Sequence, residues 1–516
     1  VNRLPQATTL NENQLAHVAT GRPHKRLILR GATVIDGTGG PPFGPADIVI
    51  ENDTITRIVQ YGTSPWQNQS PARLVPGPDD AVLDLDGCYV MPGLVDAHAH
   101  IGGPAQVPSA EYVHKLWLGH GVTTVRELGS IYNGLDFTLE QARLSNRHEI
   151  AAPDVIPYVY FGWGADHWIS DPDEARAWIR TVAAHGAKGV KLFGLAPNVM
   201  KATLAEAQAQ NLKTACHHAQ QYVSGANALD TARWGLNSVE HWYGIPEAMF
   251  TNRRVQDYPS DYNYVNEADR FATAGRLWEE AAPPGSSRWN DTIDEFVSLG
   301  TALVPTFNVY IGARDAARVR TSEWHNRYTA RELKAFFSPD SGEHGSFFEN
   351  WGTEEEVSWR RSYSLWMRFI RDFYDRGGLL GAGSDSGFIY KVYGFGLIEE
   401  LELLREAGIS ALEIIGIATL GGARIAGIDT ITGSLEPGKR ADLLVLQENP
   451  LKNLKVLYGH GHSPEEADGG RRTFGGVAVT IRAGAVFNAR AMLSDVRDIV
   501  AEQSAVGATF EAVHEH

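Results

Sequence analysis

The sequence predicts an α/β protein built on a closed, parallel eight-stranded barrel, with a small β unit assembled from both ends of the chain. Three observations carry that prediction. Short alternating runs bounded by Gly, Asn and Asp occupy residues 26–90, the pattern of small antiparallel strands. The same texture returns after Gly433. Between the two, short apolar runs alternate with helical stretches about eight times, the number that closes a parallel barrel.

In chain order, the first β unit is read from "RLILRGATVIDG", "ADIVIEN", "TITRIVQ" and "AVLDLDGCYV" within residues 1–90. The barrel spans 91–428, its strands read from "GLVDAHAH", "VTTVREL", "DVIPYVYF", "GVKLFG", "KTACHH", "NSVEH", "ALVPTF" and "LLGAGSDSG". Capping boxes at Asp171…Glu174 (with Pro172 in the first helical position), Thr203…Glu206 and Ser410…Glu413 predict helix starts between them. Two stretches, about 246–300 and 311–376, are too long for ordinary strand-to-helix connections. They carry Trp278, Trp289, Trp324, Trp351, Trp359 and Trp366, and are expected to be helical elaborations beside the barrel mouth, with most of those aromatics in ordinary packing. Residues 429–516, including "GSLEPGKRADLLVLQ" and "GGVAVTIRAGAVF", complete the β unit and end in a tail.

At 516 residues the chain exceeds one ordinary core. Its formal charge of −16 repels nucleic acid and anionic lipid, so a small-molecule substrate is the expected partner. No apolar run approaches the ~20 residues of a membrane helix. Cys88 and Cys216 make no disulfide framework. The opening "VNRLPQATTLNENQ" has no basic segment leading into an apolar one. The expectation is a soluble protein, cytoplasmic or exported with its signal peptide already removed.

The chemistry centres on "VMPGLVDAHAHIGG". On a strand, His98 and His100 point the same way, and in a barrel that direction is inward at the end where active sites form. An H-x-H pair alone is weak, and "GHGH" (His460, His462) and the terminal "HEH" (His514, His516) serve as controls off any apolar strand. What singles out the first pair is its company at other strand ends: Lys191 in "GVKLF", His217 in "TACHH", His241 in "SVEH" and Asp385 in "GAGSDSG". Alternation lets one of His217 and His218 face inward. Four imidazoles and a carboxylate suit Zn²⁺ or a similar divalent ion better than Ca²⁺ or Mg²⁺. A bare ammonium among metal ions would be repelled, whereas the carbamate formed from Lys191 and CO₂ is an anion able to bridge two metals. The alternative is an ordinary lysine paired with a carboxylate, and Lys188 is the poorer candidate for the bridge.

Taken together, "MPGLVDAHAH", "GVTTVREL", "GVKLF", "HHAQ", "SVEHW", "GSDSG" and "GSLEPGKRADLLVL" resemble the amidohydrolase superfamily, in particular its binuclear, carbamylated-lysine members of the imidazolonepropionase-like or prolidase-like type. The resemblance covers nearly the whole chain except the two long stretches and the termini. It implies a distorted (β/α)8 TIM barrel with a β-sandwich from the chain ends. It also implies two divalent metals, held by His98, His100 and Asp385 at the more buried position and by His217 and His241 at the more exposed one, with N6-carboxylated Lys191 between them. The strand-five motif favours His217 over His218.

From this follows an expected mechanism in which a metal-bridging hydroxide attacks and Asp385 moves the proton to the leaving group. An amide or peptide-like C–N bond of a small molecule is the expected target. A lactone, ester, carbamate or phosphotriester could be cleaved on the same centre. Deamination is the weaker reading, because family deaminases place a carboxylate where this chain has Gln220, or Gln221 counting from His218. A non-catalytic scaffold is the reading from a different class. His167, Tyr222 and Tyr243 are candidate substrate contacts, and relatives of this type imply a homo-oligomer.

Overall fold

The computed structural model describes residues 10–61, 73–338, 347–348, 350–461 and 475–514, with side chains as far as residue 503. Five strands form first: β1 (Leu27–Val34), β2 (Phe43–Glu51), β3 (Thr54–Gln60), β4 (Ala81–Asp84) and β5 (Tyr89–Pro92). β2 pairs antiparallel with both β1 and β3. The first half of β1 lies parallel to β4 and its last residues parallel to β5, so the chain-end sheet is mixed where sequence alternation implied an antiparallel one. Gly93 alone separates β5 from the first barrel strand, so the small sheet feeds directly into the strand that carries His98.

The barrel strands are β6 (Leu94–Ala99), β7 (Val122–Glu127), β8 (Asp154–Tyr160), β9 (Gly189–Leu192), β10 (Lys213–Cys216), β11 (Ser238–Glu240) and β12 (Ala302–Val304), each parallel to the next. Their apolar positions bury between sheet and surrounding helices, as parallel strands covered on both faces require. The eighth position is a hydrogen-bonded segment rather than a full strand. Gly381 N–H donates to Leu303 O at 3.1 Å on one side, and Asp385 N–H to His98 O at 2.8 Å on the other. Gly383 makes this approach possible, since a Cβ there would stand 2.6 Å from His98 Cβ and 2.7 Å from Val304 Cγ1.

Two of the three predicted helix starts are observed. Asp171 caps the helix Pro172–His185, accepting from Asp173 N–H at 2.8 Å, and Ser410 and Glu413 form a reciprocal capping box. The third is corrected: Thr203 lies inside the helix Pro197–Ala209, and its hydroxyl donates back to Val199 O at 2.8 Å. A Thr-x-x-Glu pattern is purely local, and mid-helix threonines satisfy themselves in this way. In the two long stretches, the last helix returns the chain to the barrel. Ser287–Leu299 ends at Gly300 before β12, and Thr353–Asp375 precedes the eighth segment. Trp278, Trp289, Trp359 and Trp366 are buried, while Trp324 and Trp351 are partly so.

β13 (Leu443–Leu446), β14 (Val477–Arg482) and β15 (Ala485–Asn488) complete the chain-end sheet, β13 pairing antiparallel with β5. Leu29, Ile48, Val90, Val445 and Ile481 share its core. The terminal helix Ala489–His514 packs on the helix Ala110–Gly119, with Lys115 Nζ 2.8 Å from Asp495. Among the described residues no helix is long and apolar enough to cross a membrane. Cys88 and Cys216 are both buried and free. His462, His516 and the side chain of His514 lie outside the described residues.

Candidate active site

Barrel geometry brings the carboxyl ends of the strands to one mouth, and the histidines converge there. His98 Nε2 and His100 Nε2 lie 3.5 and 3.2 Å from Asp385 Oδ1, and His241 Nε2 lies 3.8 Å from Asp385 Oδ2. One ligand atom from each of His98, His100 and Asp385 falls within 4.8 Å of the others. The ring of His217 sits 4.7 Å from that of His241, measured between centroids. The same cavity is lined by Lys191, which is buried and has no carboxylate within ion-pair distance among the described residues. His241 (φ 64°) and Asp385 (φ 45°) both adopt left-handed backbone, a strain that turns these two side chains off the strand ends into the cavity.

Behind the cluster lies a set of holders that sequence reasoning did not single out. Glu240, fully buried, accepts from His98 Nδ1 at 2.8 Å, from Arg126 at 2.7 Å and from Ser238 Oγ at 2.6 Å. Arg126 also donates to Ala97 O at 2.5 Å, tying β6, β7 and β11 together. Thr306 Oγ1 lies 2.5 Å from His241 Nδ1, which leaves Nε2 for the cavity. Asp96 accepts from Ser384 N–H and Oγ, at 2.9 and 2.6 Å, and so fixes the backbone next to Asp385. Each holder sits one or two residues from a ligand candidate, or on a neighbouring strand. The "VEH" run was the signal available for Glu240.

Electrostatics follow from burial and these partners. Burial, reinforced by Lys191, pushes His98 down to about 4. His217 and His241 are driven well below the ordinary imidazole range by burial and by neighbouring histidines. Burial opposes protonation of His100, yet hydrogen bonds to Asp385 and Glu127 outweigh it and hold the ring up to about 9. Burial would raise Asp385, but His98, His100 and His241 keep it well below the usual carboxylate range. Burial lowers Lys191 against the pull of Glu240 and Asp385.

The cavity has a volume of about 460 Å³, and it contains His98, His100, Lys191, His217, Tyr222, His241, Tyr243 and Asp385 among its walls. His218 points the other way, its Nε2 2.8 Å from Thr231 Oγ1 of the helix Ala228–Arg233. His167 is not part of the wall. Its side chain is 67% exposed and faces Glu174 at 3.5 Å, while the adjacent Trp168 reaches the cavity. Lys188 is exposed, and His460 pairs with Glu323 at 3.2 Å away from the mouth. Arg270, Tyr264 and Phe271 enter from the first long stretch and Tyr310 from the end of the β12 connection, none of which strand-end motifs could indicate.

Known proteins share the sequence of one segment and the fold of nearly the whole chain. The model of the amidohydrolase family matches residues 368–464, a span that contains Asp385. Over that span this chain is similar to the amidohydrolase family. Among solved structures, a bottromycin amidohydrolase superposes with TM-score 0.61 at 20% identity, over 96% of this chain and 93% of that one. A Xaa-Pro dipeptidase with bound methionine gives TM-score 0.57 at 19% identity, over 90% of this chain and 100% of that one. A. niger ochratoxinase gives 0.56 at 17% identity, over 90% of this chain and 96% of that one. These likenesses establish the fold.

Curated relatives share shorter segments with this chain. The adenine deaminase of Methanoculleus marisnigri is 40% identical over 88 residues, 16% of this chain and 17% of that enzyme. That of Bacillus pumilus is 29% identical over 151 residues, 28% of this chain and 23% of that enzyme. The chain therefore aligns with under a quarter of the length of either relative.

The donor set of the cavity fits divalent metal. His217 and His241 are held in the neutral, ligating form, Asp385 in the ionised one, and two carboxylates beside His100 favour positive charge. Lys191 presents a buried amine whose pKa burial lowers.

Proposed function

We propose that the protein is a metal-dependent hydrolase that cleaves an amide or peptide-like C–N bond of a small molecule. The observation that carries this reading is the convergence of His98, His100, Lys191, His217, His241 and Asp385 on one cavity, in a chain whose residues 368–464 match the amidohydrolase family. His98, His100 and Asp385 would hold one divalent ion and His217 and His241 a second, probed first as Zn²⁺, with Lys191, once carboxylated, as a further ligand. Such ions acidify water and polarise a carbonyl.

The remaining work falls to the chain's own groups. Asp385, ionised and within 3.8 Å of three imidazoles, accepts the proton of the attacking water at a carboxylate oxygen and delivers it to the leaving nitrogen. Glu240 and Thr306 fix the tautomers and orientations of His98 and His241 through their Nδ1 atoms. Tyr222 and Tyr243 line the cavity, Tyr243 with its ring 5.3 Å from that of His217, and exclude water from the bound substrate.

The partial match to adenine deaminases favours deamination as a second reading. Against it, Gln220 lines the cavity at the position expected of a proton-donating carboxylate, and an amide cannot supply that proton. Metal analysis followed by a hydrolysis panel of dipeptides, N-acyl amino acids, lactones and adenine tests both. Release of amine from an acyl compound supports the proposal. Ammonia from adenine with no acyl cleavage would replace it by deamination.

A further inference from the structure

We infer that Arg270 recognises a carboxylate on the substrate, and that the substrate is an N-acyl amino acid bearing a large apolar group. The inference rests on the C–N hydrolase reading above and deepens it. Arg270 belongs to the helix Glu267–Ala274 in the first long stretch. Apart from Lys191 at the cavity floor, it is the one Lys or Arg among the described residues of the cavity wall.

The guanidinium is prepared for a planar anion. Its carbon lies 4.9 Å from the ring centroids of both Tyr264 and Phe271, which restrict its rotation. One nitrogen donates to Glu267 at 2.7 Å and another reaches Tyr264 O only at 3.5 Å, the outer limit of a hydrogen bond. Nε has no hydrogen-bond partner among the described residues. Donors therefore remain for a fork-like contact with a carboxylate. Arg270 lines the same cavity as His217 and Tyr243, which places its charge beside the reacting groups. Glu267 offsets part of that charge, so a singly charged carboxylate suits the site better than a phosphate.

The apolar half comes from other residues of the same wall. Four of the eight strongly exposed large hydrophobics among the described residues line this cavity: Trp168 at 64%, Phe193 at 40%, Ile131 at 38% and Tyr132 at 37%. Large side chains left exposed at one mouth mark a surface that a ligand covers. A cation and exposed apolar side chains lining one cavity select a molecule that carries both a carboxylate and an apolar group. Hydrolysis adds water across its C–N bond: the acyl carbon gains the oxygen and leaves as a carboxylate, and the nitrogen gains the proton and leaves as the amino acid.

The test uses the zinc-loaded full chain and matched pairs, N-acetylphenylalanine against N-(2-phenylethyl)acetamide and N-acetylleucine against N-(3-methylbutyl)acetamide. The second member of each pair lacks only the carboxylate. Wild type is expected to prefer the acid by about 10- to 100-fold in kcat/KM, the worth of a charge-assisted hydrogen bond. Arg270→Met is expected to bring that ratio close to one, and Arg270→Lys to leave it intermediate. A wild-type ratio near one, or a preference that survives Arg270→Met, overturns the assignment and leaves the hydrolase reading standing. Cleavage of no acyl compound by protein shown to contain metal overturns both. The wild-type ratio needs no variant, so misfolding of Arg270→Met would not blunt the experiment.

Discussion

Glu240→Gln tests whether the buried pair behind His98 organises the site. The change is nearly isosteric, yet it removes the charge that faces Arg126 at 2.7 Å and His98 Nδ1 at 2.8 Å in fully buried surroundings. Arg126 is then left buried with Ala97 O and Ser238 Oγ as neutral partners. Breaking such a pair from one side costs about 3–5 kcal/mol, and loss of the carboxylate behind a ligating imidazole costs about 10- to 100-fold in metal affinity. The assays are urea unfolding of metal-free protein and competitive zinc titration. The sign with pH follows from Glu240, which burial would raise but Arg126 and His98 hold far below its ordinary 4.5. A depressed carboxylate contributes stability above about pH 4.5 and loses it as pH falls toward the folded value. The gap between wild type and Glu240→Gln should therefore be full at pH 7 and shrink below about pH 4.5. Equal stability at pH 7, or an equal zinc affinity, would refute the argument.

Three further outcomes are expected. Lys191→Ala, prepared beside wild type in bicarbonate, should lose most of its metal by elemental analysis from a wild-type level of about two ions per chain; equal content in both would show that Lys191 is structural. Asp385→Asn should reduce turnover by at least about 10²-fold, the usual worth of a positioned acid–base group, and near-normal rates in a metal-replete variant would remove Asp385 from proton transfer. Burial pushes Glu400 up to about 8 against the hydrogen bond from Asn308 N–H. The folded state thus keeps a proton that the unfolded chain releases above about 4.5, so stability should fall as pH rises from about 4.5 to about 8. Glu400→Gln should flatten that decline, and identical slopes in wild type and variant would contradict it.

Much of this molecule was legible because a parallel barrel writes its active site into short local motifs. Each strand end carries its own turn signal, so His98, His100, Lys191, His217, His241 and Asp385 could be picked out one strand at a time. Asp171 and Ser410 were legible for the same reason, since a cap bonds within its own turn. The false cap at Thr203 shows the limit of that locality: whether a threonine begins a helix or lies inside one depends on where the preceding loop leaves the sheet.

What the sequence by itself determined is therefore the fold class and the set of side chains offered at the barrel mouth, both set by period and by position on single strands. Tertiary structure decided which of those groups meet and what holds them. The helix Ala228–Arg233 supplies the Thr231 hydroxyl that takes His218 outward and leaves His217 to the cavity. Glu240 meets His98 across 142 positions of chain, and Arg270 reaches the wall from a stretch with no barrel period. Such contacts follow from closure of the sheet, which turns neighbours in space out of residues that no local pattern relates.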